Sequence, residues 1–162
     1  MSRKGWGVLI AVVIGAFFLL SGFSPGTLPF IPGARFSDAV TPHLPAAAHL
    51  REAFTAEEIV LPLWRETTFA GAPFAANPLN KTAYPLQWFA MIPPAGIFLD
   101  GMIALHMLIA AWGMWRWARS VGIRIEAAAL SAIAYALSPR LIAHLGAGHL
   151  DIVYAMAWLP WL

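Results

Sequence analysis

Apolar positions in this chain fall in long unbroken runs rather than in alternation. From Trp6 to Phe23 no charge interrupts the sequence, and at about 1.5 Å per residue that run just crosses a hydrocarbon core. A second run, Ile97 to Trp117, closes on Trp112, Trp115 and Trp117 and leads into Arg119 and Arg124. A third starts at Glu126, is interrupted by Pro139 and Arg140, and resumes through Leu145 to the flexible Gly146-Ala147-Gly148. Proline lacks the N–H a helix interior needs, so a break is expected there. A fourth run starts at His149 or Asp151 and reaches Leu162 after about a dozen residues, roughly half a bilayer. The pattern predicts an all-α polytopic membrane protein truncated in its fourth transmembrane helix. Its segments are 1–23 (cytoplasmic start and first span), 24–96 (first outer loop), 97–118 (second span), 119–125 (cytoplasmic loop), 126–145 (third span) and 146–162 (outer turn and start of the fourth).

Between Ser24 and about Pro94 the pattern changes, gathering most of the prolines and both signs of charge. Pro25, Pro29 and Pro32 with Gly26 and Gly33 forbid a continuous helix. His43 to Glu58 places Leu44, Ala47, Ala48 and Phe54 at spacings that suit an interfacial helix. Thr55 followed by Glu58 fits a capping box and predicts a second short helix. Phe69 to Phe74 and Asn77-Pro78-Leu79-Asn80 read as turns.

Composition agrees with a bilayer as solvent: 60% of residues are hydrophobic and 11% charged, against roughly 25% charged in a soluble domain. Eight tryptophans are present, a residue that favours membrane interfaces. The net charge of +2 comes from scattered basic residues, which argues against nucleic acid as a partner. With no cysteine, disulfides, thiolate zinc sites and cysteine nucleophiles are excluded. Arg3 and Lys4 precede the first run, and the positive-inside rule keeps that end cytoplasmic. A cleaved signal peptide is the rival reading, disfavoured by the length of the run and by Phe23-Ser24-Pro25 as a cleavage site.

This topology collects Asp38, His43, His49, Arg140, His144, His149 and Asp151 on the outer side. Ionisable groups at the edge of an apolar bundle are costly and usually face a cavity or a partner. His144 and His149 can approach one ligand across the glycine pair, although their spacing matches no standard metal motif. Asp38 reads either as a carboxylate poised for proton abstraction or, with Ser37, as helix N-cap chemistry. Arg140 suits a phosphate or a lipid head group, and Trp64 is a sugar-stacking candidate. Asp100 is expected at the interface, and His106, two turns deeper, as a satisfied core histidine.

The segment Leu63-Trp64-Arg-Glu-Thr-Thr-Phe69-Ala-Gly71-Ala-Pro73-Phe74-Ala-Ala-Asn77-Pro78, continuing to Tyr84-Pro85-Leu86, resembles the first outer loop of the bacterial YfhO-like membrane proteins, which belong with the C-type (GT-C) glycosyltransferases. Ala134-Tyr135-Ala136-Leu137-Ser138, Gly148-His149 and Ala157-Trp158-Leu159-Pro160-Trp161 are similar to the family's third and fourth helices. The resemblance implies a GT-C-like helical bundle in the bacterial cytoplasmic membrane, transferring a sugar from a polyprenyl-phosphate donor to a glycan, lipid or protein acceptor on the outer face. It implies Asp38 as the base, and the residues expected around the substrates are His43, Trp64, Asn77, Arg140, His144, His149 and Asp151. The chain departs from the family pattern in lacking a second acidic residue beside Asp38, and in carrying Arg65 and Ala70 where Asn and Gly are commoner. No cofactor is required by this reading, and a divalent metal ion stays open. Two competing readings remain: a transporter or flippase whose path is lined by His106 and Asp100, and a scaffold whose aromatic loop binds a partner.

Overall fold

The computed structural model describes residues 3–20, 37–58, 60–68 and 70–162. The expected end of the first span at Phe23, the proline-rich stretch after it, and Phe69 lie outside these residues. Among the described residues the fold is all-α apart from one tiny hairpin. Its elements are α1 (Arg3–Leu20), α2 (Leu44–Thr55), β1 (Trp64–Arg65), β2 (Ala72–Pro73), α3 (Ala95–Ser120), α4 (Ile125–Ala136), α5 (Pro139–Ala147) and α6 (Leu150–Trp158), with a π-type turn at Ala39–His43 and 3-10 turns at Pro78–Asn80, Pro85–Met91 and Leu159–Trp161.

α3 is the axis of the bundle and packs against α1, α4 and α6. Its 26 residues measure about 39 Å at 1.5 Å each. α3 and α4 pack closely and both bury small side chains, Ala110, Ala111 and Ala118 on one helix and Ala128, Ala129, Ala132 and Ala136 on the other, while Gly113 makes room for the Trp161 ring. Such residues let helix backbones approach closely. Among the described residues two stretches are long and apolar enough to cross a membrane: Ala95–Ser120, mean hydropathy 1.7, and Ile125–Ala147, mean hydropathy 1.3.

The second stretch carries the predicted interruption. Leu137 ends α4, Ser138 accepts from the Leu141 N–H at 3.4 Å, and Pro139 opens α5. A proline is tolerated in a first helical turn, where its missing N–H has no partner to lose.

Residues 37–94 cap one end of the bundle, with α2 lying across α3 and the Pro85–Met91 turn. The hairpin pairs Trp64 with Pro73 and Arg65 with Ala72. It turns through Ala70 (φ 60°) and Gly71 (φ 118°). A Cβ on Gly71 would lie 2.8 Å from the Trp64 indole nitrogen, so the ring packs flat on the turn only because glycine stands there. Phe74 is buried, edge-on to His49 at 4.7 Å. Asn80 donates to the Phe74 carbonyl at 2.8 Å and Thr82 to the Ala75 carbonyl at 2.7 Å, tying the turn to the strand.

One expectation is corrected here. No helix begins at Thr55, which is the last residue of α2. Its hydroxyl bonds backward to the Arg51 carbonyl at 2.9 Å, and Ala56 turns extended (ψ 161°). The threonine therefore serves the end of one helix rather than the start of another. Asp100 is 2% exposed, buried in the second turn of α3, which begins two residues earlier than expected.

Candidate functional site

The end of the bundle under the 37–94 cap holds two adjoining groups of polar side chains. The first is built on the α5–α6 turn. Past Ala147 the chain reverses through Gly148 at φ 83°, with the Gly148 N–H on the Leu145 carbonyl (3.0 Å) and the His149 N–H on the His144 carbonyl (2.9 Å). This is the Schellman arrangement, which brings the second residue past a helix back beside the residue a turn before its end. Here those residues are His149 and His144, and their Nδ1 atoms lie 3.1 Å apart. Gly148 also presses on the backbone N–H groups of Asp38 and Ala39 so closely that a Cβ would overlap both. That contact seats Asp38 beside the turn, its Oδ2 3.5 Å from His149 Nε2.

Asp38 does not cap the Ala39–His43 turn. Its side chain makes no cap bond, and the Ser37 hydroxyl accepts from the Val40 N–H at 3.3 Å instead. The carboxylate is left 59% exposed, facing the imidazole.

The second group centres on Lys81, the one lysine after Lys4. Asn77 accepts from the Leu79 N–H at 3.0 Å and starts the Pro78–Asn80 turn. Lys81 closes that turn in the left-handed region (φ 55°), bonding its N–H to the Pro78 carbonyl. The ammonium then reaches Asp151 Oδ1 at 2.6 Å, His43 Nδ1 at 2.9 Å and the Leu79 carbonyl at 2.9 Å. Since an ammonium only donates, His43 Nδ1 accepts, and the ring proton sits on Nε2, 3.9 Å from Asp151 Oδ2. Burial, and then the Lys81 charge, push the His43 pKa down to about 4. Burial lowers the Lys81 pKa too, against the pull of Asp151.

Lys81 and Asp151 line a cavity of about 360 Å³ whose other walls include Leu79, Tyr84, Tyr154 and Trp158. Beneath it a chain of hydrogen bonds locks the cap to the bundle. His106, fully buried, places Nδ1 2.7 Å from the Met102 carbonyl, so that nitrogen carries the proton. Its Nε2 accepts from the Tyr84 hydroxyl at 2.7 Å, and Tyr84 accepts from the Trp158 indole at 2.9 Å. The His106 ring stacks on Tyr154 at 3.9 Å.

Of the residues singled out in the sequence, Asp38, His144 and His149 form one group and His43 and Asp151 the other. Arg140 is exposed one helical turn before His144 on the same face of α5. It has no hydrogen bond or ion pair among the described residues. Trp64 and Asn77 serve the hairpin and the Pro78 turn, and no hydrogen bond or ion pair joins them to either group among the described residues. Asn77 instead borders a separate groove of about 350 Å³ with Arg65, Thr41 and Pro42. Lys81 escaped the sequence reading. The signal was an isolated lysine directly after an Asn-Pro turn within an apolar loop. Among the described residues no three His, Asp or Glu side chains converge as metal ligands.

No protein-family model matches this chain, and neither does any curated protein or solved structure.

Proposed function

We propose that this chain belongs to a polytopic membrane glycosyltransferase of the C type, akin to the YfhO-like proteins, that moves a sugar from a polyprenyl-phosphate donor to an acceptor on the outer face of the bacterial cytoplasmic membrane. The observation that carries the reading is the meeting of Asp38 and His149 at 3.5 Å, across more than a hundred residues of chain, at the capped end of the bundle. A carboxylate that caps no helix and pairs with no lysine or arginine among the described residues is available for proton chemistry. Membrane insertion is supported by the bundle's apolar exterior, where Val8, Val12, Leu105, Leu108, Trp112 and Leu130 are exposed. Lipid tails are the medium in which such a surface has no cost.

In this mechanism the donor's prenyl chain lies along the helices and Arg140 meets its phosphate with a planar fork of N–H donors. The acceptor oxygen attacks the anomeric carbon and the bond from that carbon to the phosphate oxygen breaks, its electron pair leaving with the phosphate. Asp38 supplies the basicity that removes the acceptor proton. The transporter reading has less support, because His106 spends both ring nitrogens on Met102 and Tyr84 and one face on Tyr154, which suits a structural role.

The test is sugar transfer from a radiolabelled polyprenyl-phosphate sugar by the full-length protein and its Asp38→Asn variant. Loss of about 10²–10⁴-fold in turnover is expected, the size of the general-base catalysis that depends on Asp38. Unchanged turnover would remove Asp38 from the reaction, and translocation without transfer would establish the flippase.

A further inference from the structure

We infer that the atom meeting the acceptor hydroxyl is Nε2 of His144, and that Asp38 acts through His149 to keep that nitrogen unprotonated. The inference rests on the transferase reading and names the residue that touches the acceptor in it.

Three side chains stand in line, each constraining where the next holds its proton. His149 Nε2 faces the Asp38 carboxylate at 3.5 Å. An ionised carboxylate accepts only, so the favourable neutral tautomer of His149 carries its proton on Nε2. Its Nδ1 is then a bare lone pair. That lone pair lies 3.1 Å from His144 Nδ1. Two bare nitrogens at this distance would repel, so His144 holds its proton on Nδ1 and donates it to His149. The remaining nitrogen, His144 Nε2, is left as a lone pair. It has no protein partner and is not sealed from solvent among the described residues. The neighbouring Schellman turn fixes both backbones, and Gly148 fixes Asp38 against them, so the order of the three groups is built into the chain reversal.

During transfer the acceptor O–H bond breaks and an N–H bond forms at His144 Nε2, while the oxygen's electron pair makes the new bond to the anomeric carbon. The proton on His144 Nδ1 passes to His149 Nδ1. His149 becomes an imidazolium with both nitrogens protonated, beside the Asp38 carboxylate, and His144 ends neutral with its proton on Nε2. One proton enters, and the donor phosphate leaves with the electron pair of the broken bond. Asp38 is the positioning residue and His144 the catalytic one. This is the physical logic by which a carboxylate sets the tautomer and stabilises the charged form of an imidazole base.

The experiment is ¹⁵N spectroscopy of the full-length protein labelled at histidine and held in nanodiscs, with His144 assigned from the spectrum of the His144→Gln variant. Protonated and bare ring nitrogens resonate far apart. The expected wild-type result is His144 protonated on Nδ1 and bare on Nε2, with this preference lost in Asp38→Ala. His144→Gln should lower kcat about 10²–10⁴-fold with little change in KM. A wild-type His144 protonated on Nε2, a tautomer indifferent to Asp38→Ala, or full turnover in His144→Gln would each overturn the inference. Tautomers as stated without any sugar transfer by the wild-type protein would instead refute the transferase reading, and with it this route for the acceptor proton.

Discussion

Acidification from pH 7 to pH 4 is expected to loosen the 37–94 cap through one residue, His43. This imidazole is 3% exposed, and accepting from the Lys81 ammonium at 2.9 Å commits its Nδ1 to the neutral form. Its pKa falls from 6.5 to about 4, by burial first and the lysine's charge second. The unfolded chain therefore binds the proton at higher pH than the folded one does. The stabilisation is complete above pH 6.5, is lost progressively as pH falls toward 4, and stays lost below that. At about 1.36 kcal/mol per pH unit the contribution amounts to about 3 kcal/mol. Other groups titrate in the same window, so the measurement is a difference. Unfolding free energy is followed by tryptophan fluorescence from pH 4 to 7 in the wild-type protein and in His43→Gln, which keeps hydrogen-bonding capacity without a proton to gain. The wild-type curve should drop more steeply by about 3 kcal/mol in total over that range. Parallel curves would refute the reasoning, since they would mean that His43 charges as readily inside the fold as outside it.

Tyr84→Phe should cost about 1–3 kcal/mol in thermal unfolding, because it strands the buried His106 Nε2 and removes the acceptor of the Trp158 indole N–H. A loss under 0.5 kcal/mol would mean that the chain of bonds through Tyr84 does not hold the cap. Gly148→Ala should destabilise by at least about 2 kcal/mol through its left-handed backbone and the overlap with Ala39, and should abolish transfer. Gly146→Ala is the control, since a Cβ there meets nothing within 4 Å and alanine favours the helix by about 0.5–1 kcal/mol. Asn80→Ala, which removes the shorter of two hydrogen bonds to the Phe74 carbonyl and leaves the one from the Asn77 N–H at 3.3 Å, should cost about 0.5–1.5 kcal/mol and raise hydrogen exchange across residues 74–82.

What the sequence discloses about this fold is local chemistry and long apolar runs. The break at Pro139 was legible because proline's missing N–H and the preceding serine dictate it without help from the rest of the chain. The helical pattern of 43–58 led to α2 in the same way, yet the Thr55–Glu58 pair misled. A capping box and a helix-ending threonine share the same letters, and only the extended Ala56 separates them. The burial of Asp100 was not legible for a different reason: whether a polar group near a helix start meets water depends on what folds over it, and that is a tertiary fact. At the candidate site, the alternation of apolar runs was enough to bring Asp38 and His149 to one end. It did not foresee that Gly148 would press them together, or that Lys81 would swing out of an Asn-Pro turn to face Asp151. Arg140, Trp64 and Asn77 were named for their chemistry alone. Two of the three proved to be occupied by local turns, an outcome that residue type cannot signal.

The most direct test of the account is which side of the membrane residues 38 and 149 occupy. The chain has no cysteine of its own, so Asp38→Cys and His149→Cys each give a single-thiol protein. Treating intact cells with a membrane-impermeant maleimide should modify both. Modification of one in intact cells and of the other only after permeabilisation would contradict the account.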